Sequence, residues 1–176
     1  MKRIAACQCE AVALEVSGQP ILSAICHCES CQTAGERLEK RAGAPPVLGL
    51  HRGTAFMLFR KDRIRCLRGE KHLAEFRLKR DSPTRRVVAS CCNAPMFLEF
   101  TNGHWLSFYM DRFEPSDRSQ PDLRTMTRDL AVPIEDDDGV PAFTTHSARF
   151  MWKLLMAWVA MGFRAPKIDY VKGDLQ

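Results

Sequence analysis

Residues 26–31 read Cys26-His27-Cys28-Glu29-Ser30-Cys31, so three thiols lie within six positions. A turn between Cys28 and Cys31 brings two sulfurs within reach of one metal ion. Three thiolates held this close together carry a concentrated negative charge, which a bound metal ion neutralises. The segment therefore predicts a site for zinc or a similar soft metal, with His27 as a spacer between better ligands.

Two further cysteine clusters flank this segment in the chain. Cys7 and Cys9 are separated by one residue, and Cys91 and Cys92 are adjacent. Free cysteines are often small buried hydrophobic residues, and Cys66, which stands alone in a predicted strand, fits that interpretation. Seven of the eight cysteines fall into the three clusters, which favours metal binding for these seven.

The clusters sort into two metal sites. A metal ion bound by Cys7 and Cys9 needs further ligands from elsewhere in the chain, and the third cluster is the available source. Together they give a closed site of up to four sulfurs. Cys26, Cys28 and Cys31 then form a three-thiolate site with an open fourth position. Closed zinc sites are structural, whereas catalytic zinc sites keep an exchangeable fourth ligand.

Length and composition predict one ordinary globular domain with an elaborated end. The chain has 176 residues, of which 45% are hydrophobic and 27% are charged, and these values are typical of folded proteins. The composition changes after Asp111, where loop segments begin. We predict a zinc-binding β domain over residues 1–113 and a C-terminal extension over residues 114–176, whose loop and helix pack on the same domain.

The chain carries no recognisable secretory or membrane-spanning segment. Gln8 and Glu10 interrupt the region behind the basic start, which argues against a secretory signal. The best candidate span, residues 150–163, contains Lys153 and is too short to cross a bilayer. We therefore predict a cytoplasmic protein without a membrane partner, in which reduced thiols bind metal rather than form disulfides.

Short strand-like segments separated by turn residues predict a mainly β fold of antiparallel sheets. Asn102-Gly103 is the clearest hairpin turn. The predicted strands cover residues 11–16, 54–59, 64–68, 73–78, 85–89, 96–100 and 105–109. The loops around them include residues 115–121 and 135–139.

Two helices are predicted, a short one over residues 36–41 and a longer one over residues 144–163, with Thr144 or Thr145 as its N-cap. Apolar residues occupy nearly every side of the longer helix, so it should be buried on more than one side. We predict that residues 145–163 cap the sheet, contact a second copy in a homodimer, or do both.

Positive charge is concentrated between Arg60 and Arg86. This segment has eleven Lys or Arg residues against four Asp or Glu residues, so it accounts for more than the whole net charge of +5. A basic surface can attract anionic ligands, although the solvated face of two strands explains the same pattern. We do not predict a nucleic-acid partner from it.

The cysteine pattern resembles that of the glutathione-dependent formaldehyde-activating enzymes and their centromere-protein-V-like relatives. The shared order is C-x-C, a strand, C-H-C-x-x-C, a long strand region, and a cysteine turn followed by x-x-Pro. In this chain the order runs from Cys7 to Pro95, about half of the sequence. Asn93-Ala94-Pro95-Met96 stands where the family usually has Gly-Ser/Thr-Pro-Leu.

The resemblance implies a β-tent fold, in which antiparallel sheets are joined through zinc. It also implies two zinc ions. The structural ion would be held by Cys7, Cys9 and Cys92, and the second ion by Cys26, Cys28 and Cys31.

The enzymes of this family join glutathione to formaldehyde. They are carbon–sulfur lyases, because the reverse reaction breaks the carbon–sulfur bond. By this resemblance, Cys26, Cys28 and Cys31 are the candidate catalytic residues, and the open position would bind the glutathione thiol as a thiolate. The basic segment would receive the carboxylates of glutathione. The alternative is a non-catalytic binding module with two structural zinc sites.

The last cysteine motif departs from the family pattern. The family has C-x-x-C there, whereas Ala89 lies three positions before Cys92 in this chain. Adjacent residues ordinarily point in different directions, so Cys91 needs a distorted turn to reach the same ion. The fourth ligand of the structural site is therefore Cys91, water or another group.

Overall fold

The computed structural model describes residues 1–134 and 138–175, so part of the predicted loop at 135–139 lies outside the described residues. The strands are β1 (Lys2–Ala6), β2 (Ala13–Ser17), β3 (Leu22–Cys26), β4 (Thr54–Arg60), β5 (Ile64–Arg68), β6 (Leu73–Phe76), β7 (Thr84–Ala89), β8 (Ala94–Phe100), β9 (Trp105–Tyr109), β10 (Leu123–Thr125) and β11 (Gly173–Asp174). The α-helices are α1 (Glu29–Glu39) and α2 (Ala148–Val159).

The strands form two sheets. The small sheet has the order β1-β2-β5, and the large sheet has the order β10-β3-β4-β9-β8-β7-β6-β11. Neighbouring strands are antiparallel except at the two edges of the large sheet, where β10 and β11 pair in parallel with β3 and β6. The predicted mainly β fold of antiparallel sheets with a C-terminal helix is confirmed.

Both faces of the large sheet are covered, because the side chains of its central strands alternate between two hydrophobic clusters. In β4, Met57 and Phe59 pack in the cluster that includes Leu14 and Val16 of the small sheet. Phe56 and Leu58 point to the opposite face and pack in the cluster that includes Phe150 of α2. The small sheet therefore covers one face, and the helices lie on the other.

Helix α1 begins earlier than predicted, at Glu29 instead of residue 36. Its N-cap is Cys28, whose sulfur accepts a hydrogen bond from the backbone N–H of Cys31 at 3.4 Å. Sequence patterns recognise Ser, Thr, Asp and Asn as caps, so a cysteine in this position gave no signal. The cysteine motif of the second predicted metal site itself starts the helix.

Helix α2 begins later than predicted, because Ser147 is its N-cap and not Thr144 or Thr145. The Ser147 hydroxyl accepts a hydrogen bond from the backbone N–H of Phe150 at 3.2 Å. Phe150 and Leu154 are buried, whereas Trp152 is 61% exposed. The helix thus packs on the sheet along one face only. No helix within the described ranges is long and apolar enough to cross a membrane.

Candidate metal centres and the adjoining cleft

The first and third cysteine clusters meet in the structure. The sulfur of Cys9 lies 3.6 Å from that of Cys7 and 3.4 Å from that of Cys91, and the Cys7 and Cys91 sulfurs are 3.8 Å apart. Cys92 completes the group, in which all sulfurs lie within 4.8 Å of one another. Four sulfurs placed tetrahedrally about 2.3 Å from a zinc ion would be about 3.8 Å apart. The donor set and its dimensions therefore fit zinc.

Two loops from different sheets build this cluster. Cys7 follows β1 of the small sheet, and its sulfur accepts a hydrogen bond from the backbone N–H of Val12 at 3.3 Å. Cys91 and Cys92 lie in the four-residue loop between β7 and β8 of the large sheet. Asn93 closes that loop with a left-handed φ of 53°, and the turn lets both adjacent thiols face the same point. A metal bound here would join the two sheets.

The second cluster lies at the junction of β3 and α1. Cys26 is the last residue of β3, Cys28 caps α1, and Cys31 is in its first turn. Their three sulfurs all lie within 4.8 Å of one another. A three-sulfur donor set of this size fits zinc with one position left for a further ligand. Assignment of both clusters as zinc sites stays a prediction.

The surroundings of the second cluster favour negative charge on Cys28. Hydrogen bonds with the thiols of Cys26 and Cys31 lower the pKa of Cys28 to about 2, and the backbone N–H of Cys31 and the charge of Arg86 act in the same direction. The pKa of Cys26 is raised, mainly because its thiol forms a hydrogen bond with the sulfur of Cys28. The N-terminus of α1 carries the positive end of the helix dipole, which also favours the thiolate form at this site.

An apolar cleft of about 380 Å³ opens beside the second cluster. Its lining comes from β3, α1, β4, β7, β8, β9, β10 and α2 and from the loops next to them, so the residues are distant from one another in the sequence. The lining residues are Ala24, Cys26, Cys28, Ser30, Cys31, Phe56, Leu58, Thr84, Arg86, Leu98, Phe100, Trp105, Ser107, Thr125, Met126, His146, Phe150, Met151 and Leu154. A cleft of this size is within the range of small-molecule binding sites.

Arg86 is the one Lys or Arg residue in the lining of the cleft. It is 1% exposed, and its Nη2 donates to the carbonyl and hydroxyl oxygens of Ser30 at 2.9 and 3.0 Å. Its Nε and Nη1 have no hydrogen-bond partner among the described residues. Sequence analysis did not single out Arg86, because it was one cation among eleven in the basic segment.

The other Lys and Arg residues of the basic segment do not line this cleft. Lys61 and Arg85 both pair with Glu99, and Arg77 pairs with Glu75. Arg65 pairs with a carboxylate of the small sheet. The idea that the segment as a whole receives an anionic ligand is therefore not supported by its geometry, and Arg86 alone of its Lys and Arg residues lines the cleft.

The side chains of His27 and Cys66 lie outside both clusters, as the sequence predicted. His27 is buried, and its Nδ1 is 3.2 Å from the carbonyl oxygen of His51, so its ring packs against the loop before β4. Cys66 is half-buried and packs against the core between the sheets. Neither residue belongs to a described group that could hold a metal.

No curated protein matches the chain. A solved structure of a Rhodobacter sphaeroides protein is 17% identical, with a TM-score of 0.45, and the alignment covers 81% of this chain and 100% of that one. The profile described as glutathione-dependent formaldehyde-activating enzyme matches residues 2–127, well over half of the chain, including all seven clustered cysteines. The chain therefore belongs to the family of glutathione-dependent formaldehyde-activating enzymes.

Proposed function

We propose that the chain is a zinc-dependent enzyme of the carbon–sulfur lyase type, which joins a small thiol such as glutathione to an aldehyde. The observation that carries this proposal is the position of the second cluster. Cys26, Cys28 and Cys31 all line the cleft, so the open ligand position of a metal held there would face a space that a substrate can enter. Family membership supports the same reaction.

The first cluster has a structural role in this proposal. Its four sulfurs would complete a tetrahedral donor set, and they come from loops next to strands of both sheets. None of the four lines the cleft described above. A closed four-thiolate site of this kind contributes folding free energy and offers no position to a substrate.

The residues around the second cluster would hold and orient the reacting groups. When bound there, zinc would act as a Lewis acid that favours the thiolate form of the substrate. Cys28 is held by the first turn of α1, which fixes its sulfur at the cleft wall. Arg86 supplies positive charge beside the cluster and lowers the cost of collecting several thiolates in one place. The apolar lining excludes water around these groups.

Cobalt substitution tests whether a substrate thiol enters the second site. Addition of glutathione to the cobalt-loaded protein should change the ligand-field and charge-transfer bands, because sulfur would replace the exchangeable ligand. Cys28→Ser should abolish this response, whereas Cys66→Ser, outside both clusters, should preserve it. A spectrum that glutathione does not alter would indicate a closed site, and the family's activity would then not apply to this chain.

The alternative function is a zinc-stabilised binding module, and the outward face of α2 is the feature that favours it. Trp152, Met156, Val159 and Phe163 are 61%, 45%, 43% and 60% exposed. An apolar patch of this kind usually marks an interaction surface. We propose that a second copy of the chain covers it, because two-fold pairing of identical helices is the commonest way to bury such a face.

The cytoplasmic location stays part of the proposal, since thiolate ligands require a reducing compartment.

A further inference from the structure

We infer that the cleft beside the second cluster binds an aldehyde with a large apolar substituent, with Arg86 holding the carbonyl oxygen. This inference rests on the proposed function and goes beyond it, because it concerns the substrate's carbonyl partner. Three observations carry it: the size of the cleft, the chemistry of its lining, and the unpartnered N–H groups of Arg86.

The cleft is too large for formaldehyde. Its volume is about 380 Å³, whereas a molecule of two heavy atoms needs little more than the roughly 30 Å³ that one water occupies in the liquid. Glutathione would not fill the remainder well, since it carries two carboxylates and an ammonium group. The cleft lining contains no carboxylate and no lysine, and Arg86 is its one Lys or Arg residue.

The lining favours hydrocarbon. Ten of the nineteen lining residues have aliphatic, aromatic or thioether side chains and lie outside the cysteine cluster, among them Phe56, Leu98, Trp105 and Phe150. Burial of apolar surface against such a wall is the main favourable term in binding an apolar chain.

Part of this wall is specific to the chain's C-terminal extension. Phe150, Met151 and Leu154 belong to α2, and His146 immediately precedes it. The family match ends at residue 127. Three of the ten apolar lining residues therefore come from a segment outside the family match, which is where a change of substrate would be expected.

Arg86 supplies the polar contact that such a ligand needs. Buried N–H groups without an acceptor are costly, and two nitrogens of this fully buried guanidinium have none among the described residues. An aldehyde oxygen, which becomes negative during addition, would accept from these groups.

The addition step balances without a further reagent. The thiol first loses its proton to water. The thiolate sulfur then forms a bond to the carbonyl carbon, and the C=O π pair moves to the oxygen, where Arg86 would stabilise the developing alkoxide. Water returns one proton to this alkoxide, which gives the neutral hemithioacetal, and the reverse sequence cleaves it.

Binding of a homologous aldehyde series to the zinc-loaded protein tests the inference. Calorimetric titration should give an affinity for octanal roughly 250-fold to 1000-fold higher than that for propanal, because octanal has five more methylenes and each buried methylene is worth about threefold to fourfold. Equal affinities for the two aldehydes would overturn the inference.

Variants locate the binding site. Met151→Arg, at the half-exposed mouth of the cleft, should remove most of the preference for octanal. Trp152→Arg is the matched control, because it lies next to Met151 on the same helix but does not line the cleft. If Trp152→Arg weakens octanal binding as much as Met151→Arg, the ligand lies on the outer face of α2 and the assignment is wrong.

The role of Arg86 has its own comparison. Arg86→Met should weaken octanal binding about tenfold or more, since a hydrogen bond to a charged donor is lost. Arg86→Lys, which keeps the charge, should be intermediate and serves if the first variant does not fold. Arg85→Gln is the control, because Arg85 pairs with Glu75 and Glu99 and does not line the cleft. Unchanged affinity in folded Arg86→Met would refute the assigned contact.

Exchange rates separate this inference from the proposed function. Nuclear magnetic resonance exchange measurements report hemithioacetal formation from glutathione with formaldehyde and with octanal. Acceleration of the formaldehyde reaction without binding of octanal would refute the inference alone. Tight, length-dependent octanal binding with no acceleration of either reaction would support the cleft assignment and refute the proposed function.

Discussion

Replacement of Cys9 by serine tests whether the first cluster holds the two sheets together through a metal ion. The Cys9 side chain is exposed, so the change removes almost no packing and reports on the metal site. Cys9 and Cys91 are 82 positions apart and their sulfurs are 3.4 Å apart. A cross-link that closes a loop of this length lowers the entropy of the unfolded chain by an amount worth about 4–5 kcal/mol at 25 °C.

Cys9→Ser should therefore lower the free energy of unfolding by up to about 4–5 kcal/mol, which corresponds to a fall in Tm of roughly 10–20 °C for a domain of this size. The assay is urea and thermal unfolding of the purified protein, followed by circular dichroism, together with its zinc content. The other three cysteines of the cluster can retain an ion weakly, so both proteins are measured with and without a chelator. The chelator should reduce the difference between them.

Two comparisons make the result specific. Cys66→Ser, outside both clusters, should leave the zinc content unchanged and the Tm within a few degrees. Cys28→Ser should remove one zinc ion but cost only about 2 kcal/mol, because Cys26 and Cys31 close a segment of about five residues. Equal loss of stability in Cys9→Ser and Cys66→Ser, or a folded wild-type protein that contains no metal after purification under reducing conditions, would refute the reasoning.

Two further predictions concern packing and charge. Trp152→Asp should convert a homodimer to a monomer without a large fall in Tm, because its side chain faces outward. Trp158→Asp should also lower the Tm, because Trp158 stacks on His104 with ring centroids 5.7 Å apart. Light scattering measures the mass and thermal unfolding the Tm, and an unchanged mass in both variants would exclude the helix as an interface. Lys61→Met should lower the free energy of unfolding by about 3 kcal/mol in urea titrations, because it leaves the buried Glu99 carboxylate with Arg85 as its remaining ion-pair partner. A change below about 1 kcal/mol would indicate that the Lys61–Glu99 pair contributes little.

Local patterns were sufficient for several strands of the fold. The segments predicted around residues 54–59, 64–68 and 105–109 agree with β4, β5 and β9, since runs rich in apolar, β-branched and aromatic residues between turn residues are a property of each segment by itself. The hairpin turn at Asn102-Gly103 connects β8 and β9 as predicted. Strand β1 was missed, because its sequence is short and mixed and its pairing with β2 gives it its conformation.

The cysteine clusters show where prediction from sequence is strong and where it is limited. The spacing of Cys26, Cys28 and Cys31 places three sulfurs within one turn, so their proximity follows from chain geometry. The meeting of Cys7 and Cys9 with Cys91 and Cys92 was predicted from the need for ligands and not from spacing. The sharp turn at Ser90–Asn93, which lets adjacent cysteines face one point, depends on how β7 pairs with β8.

The sequence by itself determined the family, the mainly β class and the residues that can hold metal, because these depend on residue types and on short separations along the chain. Tertiary structure decided which residues surround the second cysteine cluster. Arg86 of β7 and Met151 of α2 are 65 positions apart in the chain, yet both line the cleft beside the second cluster. The division of the basic segment into ion-paired charges and one cation that lines the cleft also required the fold, because burial and ion pairing depend on neighbours that only packing brings together.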